Sequence, residues 1–189
     1  MRKNLNTKVR ALDEAKSLLQ TFGFNGFSFQ HIADKLGIKK PSLYEHFKSK
    51  EELGRAIIAD YNDKFTQWAE TIEIFEPKEK VSAFFEIFFK FSNAGKFCQL
   101  SAMIADFNSI PKSMKKPLSD LFQFQYAWLK TVIKEGQKKK KFRRDFSSDE
   151  LTEIVMSIGL GSQQMARVGA NPKKIKEMKT QALKILEDH

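Results

Sequence analysis

Cysteine occurs once in the 189 residues, as Cys98, so an internal disulfide framework and a cysteine-built zinc site are both excluded. A reducing, cytoplasmic compartment suits such a chain. Histidine is nearly as scarce, limited to His31, His46 and the terminal His189. No glycine-rich phosphate loop, metal-ligand spacing or nucleophile motif appears, so neither catalysis nor a cofactor is expected. Long apolar runs are missing too. The densest, residues 81–91, is interrupted by Glu86 and Lys90 and reads as a buried helix, not a membrane span. Residues 1–8 are polar and basic with no apolar stretch behind them, so no secretory signal is expected. Strand-like alternation is absent, and the 3.6-residue period dominates instead.

What is present is a hydrophobic fraction of 41%, ample for a core, and a net charge of +10 that favours a polyanionic partner. The few glycines and prolines punctuate an all-α chain of about nine helices. Val9, Leu12, Ala15, Leu18 and Leu19 make the first helix, which ends near Gly23. Ser28 caps a second helix through Leu36, with Gly37 in the left-handed position beyond it. Pro41 opens a third, expected to reach Phe47, and Ser49 with Glu52 forms a capping box for a long fourth. Pro77 starts a Phe-rich fifth helix, Asn93-Ala94-Gly95 is a turn, and a sixth runs from Cys98 to Asn108. The seventh covers Ser113 to Lys138. Ser147 and Glu150 box the eighth, and Asn171-Pro172 opens the ninth.

Ala33, Gly37 and the set Ile32, Leu36, Ile38 and Leu43 meet the requirements of a helix-turn-helix: a small contact residue, a left-handed turn and an apolar lock. Lys40, Ser42, Tyr44, Glu45 and His46 are left to face outward. Spacing alone leaves two readings open, a DNA reader and an ordinary helical hairpin. Charge sides with DNA: residues 1–55 hold 11 basic and 6 acidic side chains, a net +5.

The stretch from Phe27-Ser28-Phe29-Gln30-His31-Ile32-Ala33 to Gly37-Ile38, followed by Ser42-Leu43-Tyr44-Glu45-His46-Phe47-Lys48-Ser49-Lys50-Glu51-Glu52-Leu53, resembles the TetR family DNA-binding domain. The match spans about residues 5–55, and its most specific part is Leu-Tyr-x-His-Phe-x-x-Lys-x-x-Leu. The resemblance implies a DNA-binding domain at 1–52 and a helical ligand-binding and dimerisation domain at 53–189. It implies that Lys40, Pro41, Ser42, Tyr44 and His46 enter the major groove, with Ser28 and Gln30 at its edge and Lys50 on phosphate. Two departures stand out. Lys39 occupies a frequent serine cap position and exchanges a cap for a phosphate contact. Glu45 occupies a frequent aromatic position and either reads a cytosine or points away.

In the body, the resemblance implies an apolar pocket lined by Phe65, Trp68, Phe84, Phe88, Phe107, Phe124 and Trp128, for a small apolar or aromatic effector. Packed core is the plainer reading of the same rings. Cys98 is either a buried inert thiol or, as in some TetR-like regulators, a sensor of oxidants or electrophiles, activated by Lys96 and a helix N-terminus. Ile154, Ile158, Gly161, Ser162 and Met165, with Ile175, Met178, Ala182 and Ile185, combine small and apolar residues as a dimer interface would. In the family such helices form a four-helix bundle in a homodimer, which implies a palindromic operator. The basic run Lys138–Lys141 with Arg143 and Arg144 reads as a solvated connection. The expectation is a repressor released by its ligand. A ligand-independent activator or architectural protein, and a helical adaptor for an acidic protein, are the rivals.

Overall fold

The computed structural model describes residues 2–90, 96–169 and 172–187, with side chains described for 6–90, 96–169, 173 and 176–187. Among these residues there are nine helices and no strand: α1 (Arg2–Phe22), α2 (Phe29–Leu36), α3 (Lys40–Tyr44), α4 (Lys50–Thr71), α5 (Pro77–Phe89), α6 (Gln99–Ala105), α7 (Lys112–Lys138), α8 (Ser148–Arg167) and α9 (Pro172–Glu187). No helix is long and apolar enough to cross a membrane among the described residues. The expected turn at Asn93-Ala94-Gly95 and the cap at Asn171 lie outside the described residues.

Local chemistry explains most boundaries. Ser28 and His31 cap α2 reciprocally, and Gly37 ends it at φ 64. Glu76 and Glu79 cap α5, with Pro77 in the first turn, and Ser147 and Glu150 cap α8 as expected. At α4 the Ser49 hydroxyl accepts from the Glu52 amide (3.1 Å), but the Glu52 carboxylate accepts from Lys48, one residue earlier than a reciprocal box requires. Two helices are shorter than the sequence suggests. α3 stops at Tyr44 because the His46 amide turns back to Leu43 after three residues, tightening the last turn. α6 spans Gln99–Ala105, because Asp106 and Phe107 likewise bond back three residues, to Met103 and Ile104.

The chain folds into two compact units, Met1–Thr66 with Gln99–Leu121, and Gln67–Cys98 with Phe122–His189. This partition differs from the sequence division at 52/53. α4 continues unbroken past that point, and residues 99–121 join the headpiece. The first unit's core gathers Ala15, Leu19, Phe24, Phe27, Ile32, Leu43, Phe47, Leu53 and Ile57. Gly54 is needed here: a Cβ on it would lie 2.8 Å from the Phe24 ring and closer still, at 2.6 Å, to the Met114 sulfur of α7. Lys16, only 6% exposed, carries its ammonium to Asp13 (2.6 Å) on its own helix and to Asp60 (2.9 Å) on α4.

In the second unit α8 and α9 pack on each other and on α5. Phe84, Phe85 and Phe88 are fully buried, and a Cβ on Gly159 of α8 would sit 2.7 Å from the Phe88 ring. Gln163, a buried amide, accepts from the Cys98 backbone (3.2 Å) and donates to the Phe88 carbonyl (2.6 Å), tying the start of one segment and the end of α5 to α8. The basic connection after α7 is partly neutralised: Lys139 pairs with Glu135 and Glu76, and Arg143 with Asp145.

Several assignments need correction. Ser162 and Ala182 are fully buried in their own unit, Ser162 donating to the Gly159 carbonyl (2.7 Å), so neither is available to a partner subunit. The pairing of α8 with α9 turns these two positions inward. Phe107 and Phe124 are exposed, whereas Phe65 is buried.

The Asp60 carboxylate shows how the first unit responds to acid. Burial alone would raise its pKa, but hydrogen bonds from Lys64 and Lys16 outweigh that and hold it below the ordinary value. A carboxylate depressed in the folded state stabilises at pH values above its unfolded pKa, and that contribution is lost as pH falls through the folded one. Asp60→Ala is therefore expected to cost about 2 kcal/mol near neutral pH and to flatten the acid limb of stability, both read by urea melts across pH.

Candidate DNA-binding interface

The interface is built on the turn between α2 and α3. Because Gly37 is left-handed, the Ile38 amide bonds back to Ala33 (3.0 Å) and the Gly37 amide to Asp34 (3.3 Å), closing α2. Three residues later α3 begins, with Lys39 in the cap position and, as the sequence implied, no side-chain hydrogen bond from it. Pro41 has no N–H and the Ser42 amide donates to the Lys39 carbonyl (3.0 Å), so the start of α3 offers phosphate chiefly the exposed Lys39 and Lys40 side chains.

Leu43 and Phe47 are buried and anchor α3, while Lys39, Lys40, Pro41, Tyr44 and Glu45 are exposed and Ser42 and His46 half-buried. Tyr44, 44% exposed, leans on Phe29 of α2 with ring centroids 5.0 Å apart. That contact fixes the tyrosine ring and leaves its edge to solvent.

The outer candidates are less open than their sequence positions suggested. Gln30 is exposed but donates to Asp34 (2.7 Å). Ser28 is engaged in its cap, accepting from the His31 amide at 3.4 Å. Lys50 is half-buried, its ammonium 4.7 Å from the Phe24 ring centroid and 4.6 Å from that of Phe27. Burial lowers its pKa, and Asp106 nearby partly offsets that.

Three contributors were missed. His31 is the second half of the α2 capping box, its Nδ1 accepting from the Ser28 amide (3.3 Å), a role sequence readers look for in Glu or Gln. Phe29 supports Tyr44. Asp106, more than fifty positions beyond the motif, touches the headpiece turn at Phe24, and no local pattern announces it.

The body's candidates divide. Trp68, Phe84 and Trp128 form one cluster, with centroids 5.2 Å apart for the two tryptophans and 5.6 Å for Phe84 with Trp128, and Phe88 joins Phe84 at 5.2 Å. Cys98 is 1% exposed, which places its thiol out of solvent. Along α8, Ile154, Ile158 and Gly161 are half-exposed and Met165 exposed, a stripe at spacings of four, three and four. Gly161 has open space where a Cβ would stand. On α9, Met178 and Ile185 are half-exposed, and the Ile175 side chain lies outside the described residues.

Comparison with known proteins agrees with this geometry. Residues 11–57 match the family described as bacterial regulatory proteins, tetR family, and residues 77–182 match the tetracyclin repressor-like C-terminal domain. The chain is 25% identical over 185 residues to the HTH-type transcriptional repressor ComR of Escherichia coli (strain K12), covering 93% of this chain and 86% of that one. It is 28% identical over 152 residues to the HTH-type transcriptional repressor KstR2 of Mycolicibacterium smegmatis, covering 73% and 68%. Among solved structures, a TetR family regulator from Agrobacterium tumefaciens superposes with a TM-score of 0.91 at 20% identity, over 97% of this chain and 99% of that chain. A TetR regulator from Legionella pneumophila gives 0.84 at 28% identity, over 94% and 95%. With both halves matched and the helix-turn-helix in place, the chain belongs to the TetR family of DNA-binding transcriptional regulators.

Proposed function

We propose that this protein is a cytoplasmic homodimeric repressor that reads a palindromic operator through α3 and leaves it when a small apolar or aromatic effector binds the body. The observation that carries the DNA-reading part is the exposed face of α3, where Lys39, Lys40, Pro41 and Tyr44 surround an uncapped helix start. Lys39 and Lys40 supply phosphate charge, Ser42, Tyr44 and His46 supply hydrogen bonds to bases or phosphate, and Lys50 adds a desolvated cation. Ser28 and Gln30 contribute at the edge once their own hydrogen bonds yield.

Support for the effector comes from the aromatic cluster. Phe84 and Phe88 are packed, but Trp68 and Trp128 are half-buried, so an apolar ring entering there displaces tryptophan edges rather than core. Trp68 lies on α4, the helix that begins at Lys50, so displacement at one end of α4 is felt at the other. A ligand that prefers the DNA-incompetent state by about 3–4 kcal/mol weakens binding by two to three decades. The α8 stripe of Ile154, Ile158, Gly161 and Met165, with Met178 and Ile185 of α9, is the proposed dimer face.

Binding to DNA from the protein's own promoter region, measured across salt and against random sequence, is the deciding experiment. Log K should fall linearly with log salt, and Tyr44→Ala should weaken promoter binding by roughly tenfold or more; equal, weak binding to both DNAs would favour the adaptor. Lys39→Ser is expected to stabilise α3 by about 1 kcal/mol in thermal melts while lowering the salt slope by about one phosphate contact. Ile158→Glu should convert the dimer to monomer in sedimentation velocity and cost promoter affinity about tenfold or more. The only two tryptophans of the chain are 5.2 Å apart in the cluster. Their emission therefore reports effector binding directly, and an apolar panel that leaves it unchanged argues for ligand-independent regulation.

A further inference from the structure

The turn between α1 and α2 is held from outside the helix-turn-helix. α1 ends at Phe22, and Gly23 follows in the left-handed region at φ 76. The next two amides then point to one side, and the Asp106 carboxylate occupies that place. Its Oδ2 accepts from the Phe24 amide at 2.6 Å and from the Asn25 amide at 3.4 Å. A Cβ on Gly23 would stand 2.7 Å from the same oxygen, so the close approach itself requires glycine.

The clasp is braced on both sides. The Asn25 side-chain amide donates to the Ser109 hydroxyl (2.7 Å). The Ser109 and Ile110 amides donate to the Asp106 carbonyl (2.8 and 3.0 Å), so Asp106 sits in a formed turn after α6. Phe24, whose amide is held, is 3% exposed and meets Phe27 edge-on at 6.1 Å. Phe27 immediately precedes the Ser28 cap of α2. The start of α2, and with it the turn into α3, therefore inherits its position from the Asp106 carboxylate.

We infer that Asp106 is a positioning residue for DNA recognition: its carboxylate, gripping the Phe24 and Asn25 amides, holds the helix-turn-helix in the attitude that fits specific DNA. The inference rests on α3 being the DNA-reading helix. It assigns to the segment after α6 a task that the helix-turn-helix motif does not contain. Charge and positioning make opposite demands at this site. Asp106 adds negative charge beside Lys50, so on charge alone its removal tightens binding to every DNA. As a positioning group, its removal loosens binding only where α3 must sit in one attitude.

The test compares Asp106→Ala and Asp106→Asn with the wild-type protein, on promoter DNA and on random DNA of equal length. Asp106→Ala is expected to weaken promoter binding about tenfold, the scale of a lost charge-assisted hydrogen bond, while random-DNA affinity stays level or rises. Asparagine keeps a carbonyl acceptor for the Phe24 amide and should recover promoter affinity to within about threefold of wild type. The Phe24 amide proton, shifted downfield by its short bond to a carboxylate, should move upfield in the alanine variant. Should the alanine variant fail to fold, Asn25→Ala, which removes the bond to Ser109, carries the same comparison and is expected to lose promoter affinity and not random-DNA affinity. Promoter binding by folded Asp106→Ala that equals or exceeds wild type overturns the inference, as does a parallel loss on both DNAs. Tyr44→Ala on the same promoter separates the two levels: if it binds as wild type, α3 is not the reader, whatever Asp106 does.

Discussion

Gly37 takes a left-handed backbone that any side chain would strain, and the chain thereby reverses from α2 into α3 within three residues. The remainder of the DNA-binding half is arranged around that reversal. Beyond it Leu43 and Phe47 are buried, and Lys40, Pro41 and Tyr44 are exposed. Tyr44 then meets Phe29, a residue of the helix before the turn, so the two helices are joined by a ring that also faces solvent.

Charge is distributed with similar economy. Lys39 and Lys40 face solvent at the start of α3, whereas cations elsewhere are matched: Lys16 by Asp13 and Asp60, Lys80 by Glu135, Lys139 by Glu135 and Glu76. The paired set is structural and the exposed α3 set is available to a polyanion, so the net charge of the chain overstates its usable positive surface. Lys50 belongs to neither group. Its ammonium lies 4.7 Å from the Phe24 ring centroid, 4.6 Å from that of Phe27 and within the field of Asp106, which ties it to the turn between α1 and α2.

In the body, large aromatic side chains set the constraint. Phe84, Phe85 and Phe88 fill the contact of α5 with its neighbours so completely that α8 presents glycine at position 159. The amide of Gln163 then satisfies a buried carbonyl at Phe88 and a buried N–H at Cys98, groups that a wholly apolar α8 would leave stranded. Burial of Cys98 follows from the same packing.

Sequence alone determined what local physics decides. The all-helical class, the caps at Ser28 and Ser147, the left-handed Gly37, the missing cap at Lys39 and the outward face of α3 all follow from period, propensity and capping within a few residues. The TetR resemblance was legible for the same reason, since its motif is contiguous. Tertiary structure alone decided matters between distant positions. Ser162 and Ala182 look like interface residues by size, yet pairing of α8 with α9 turns them inward. The resemblance implies Phe107 and Phe124 as pocket aromatics, yet both are exposed. Asp106 is one unremarkable acid in the sequence, and only the fold brings its carboxylate within 2.6 Å of a backbone amide 82 positions away. Periodicity reports which face of a helix is apolar, but which neighbour covers that face is settled by packing between elements remote in sequence.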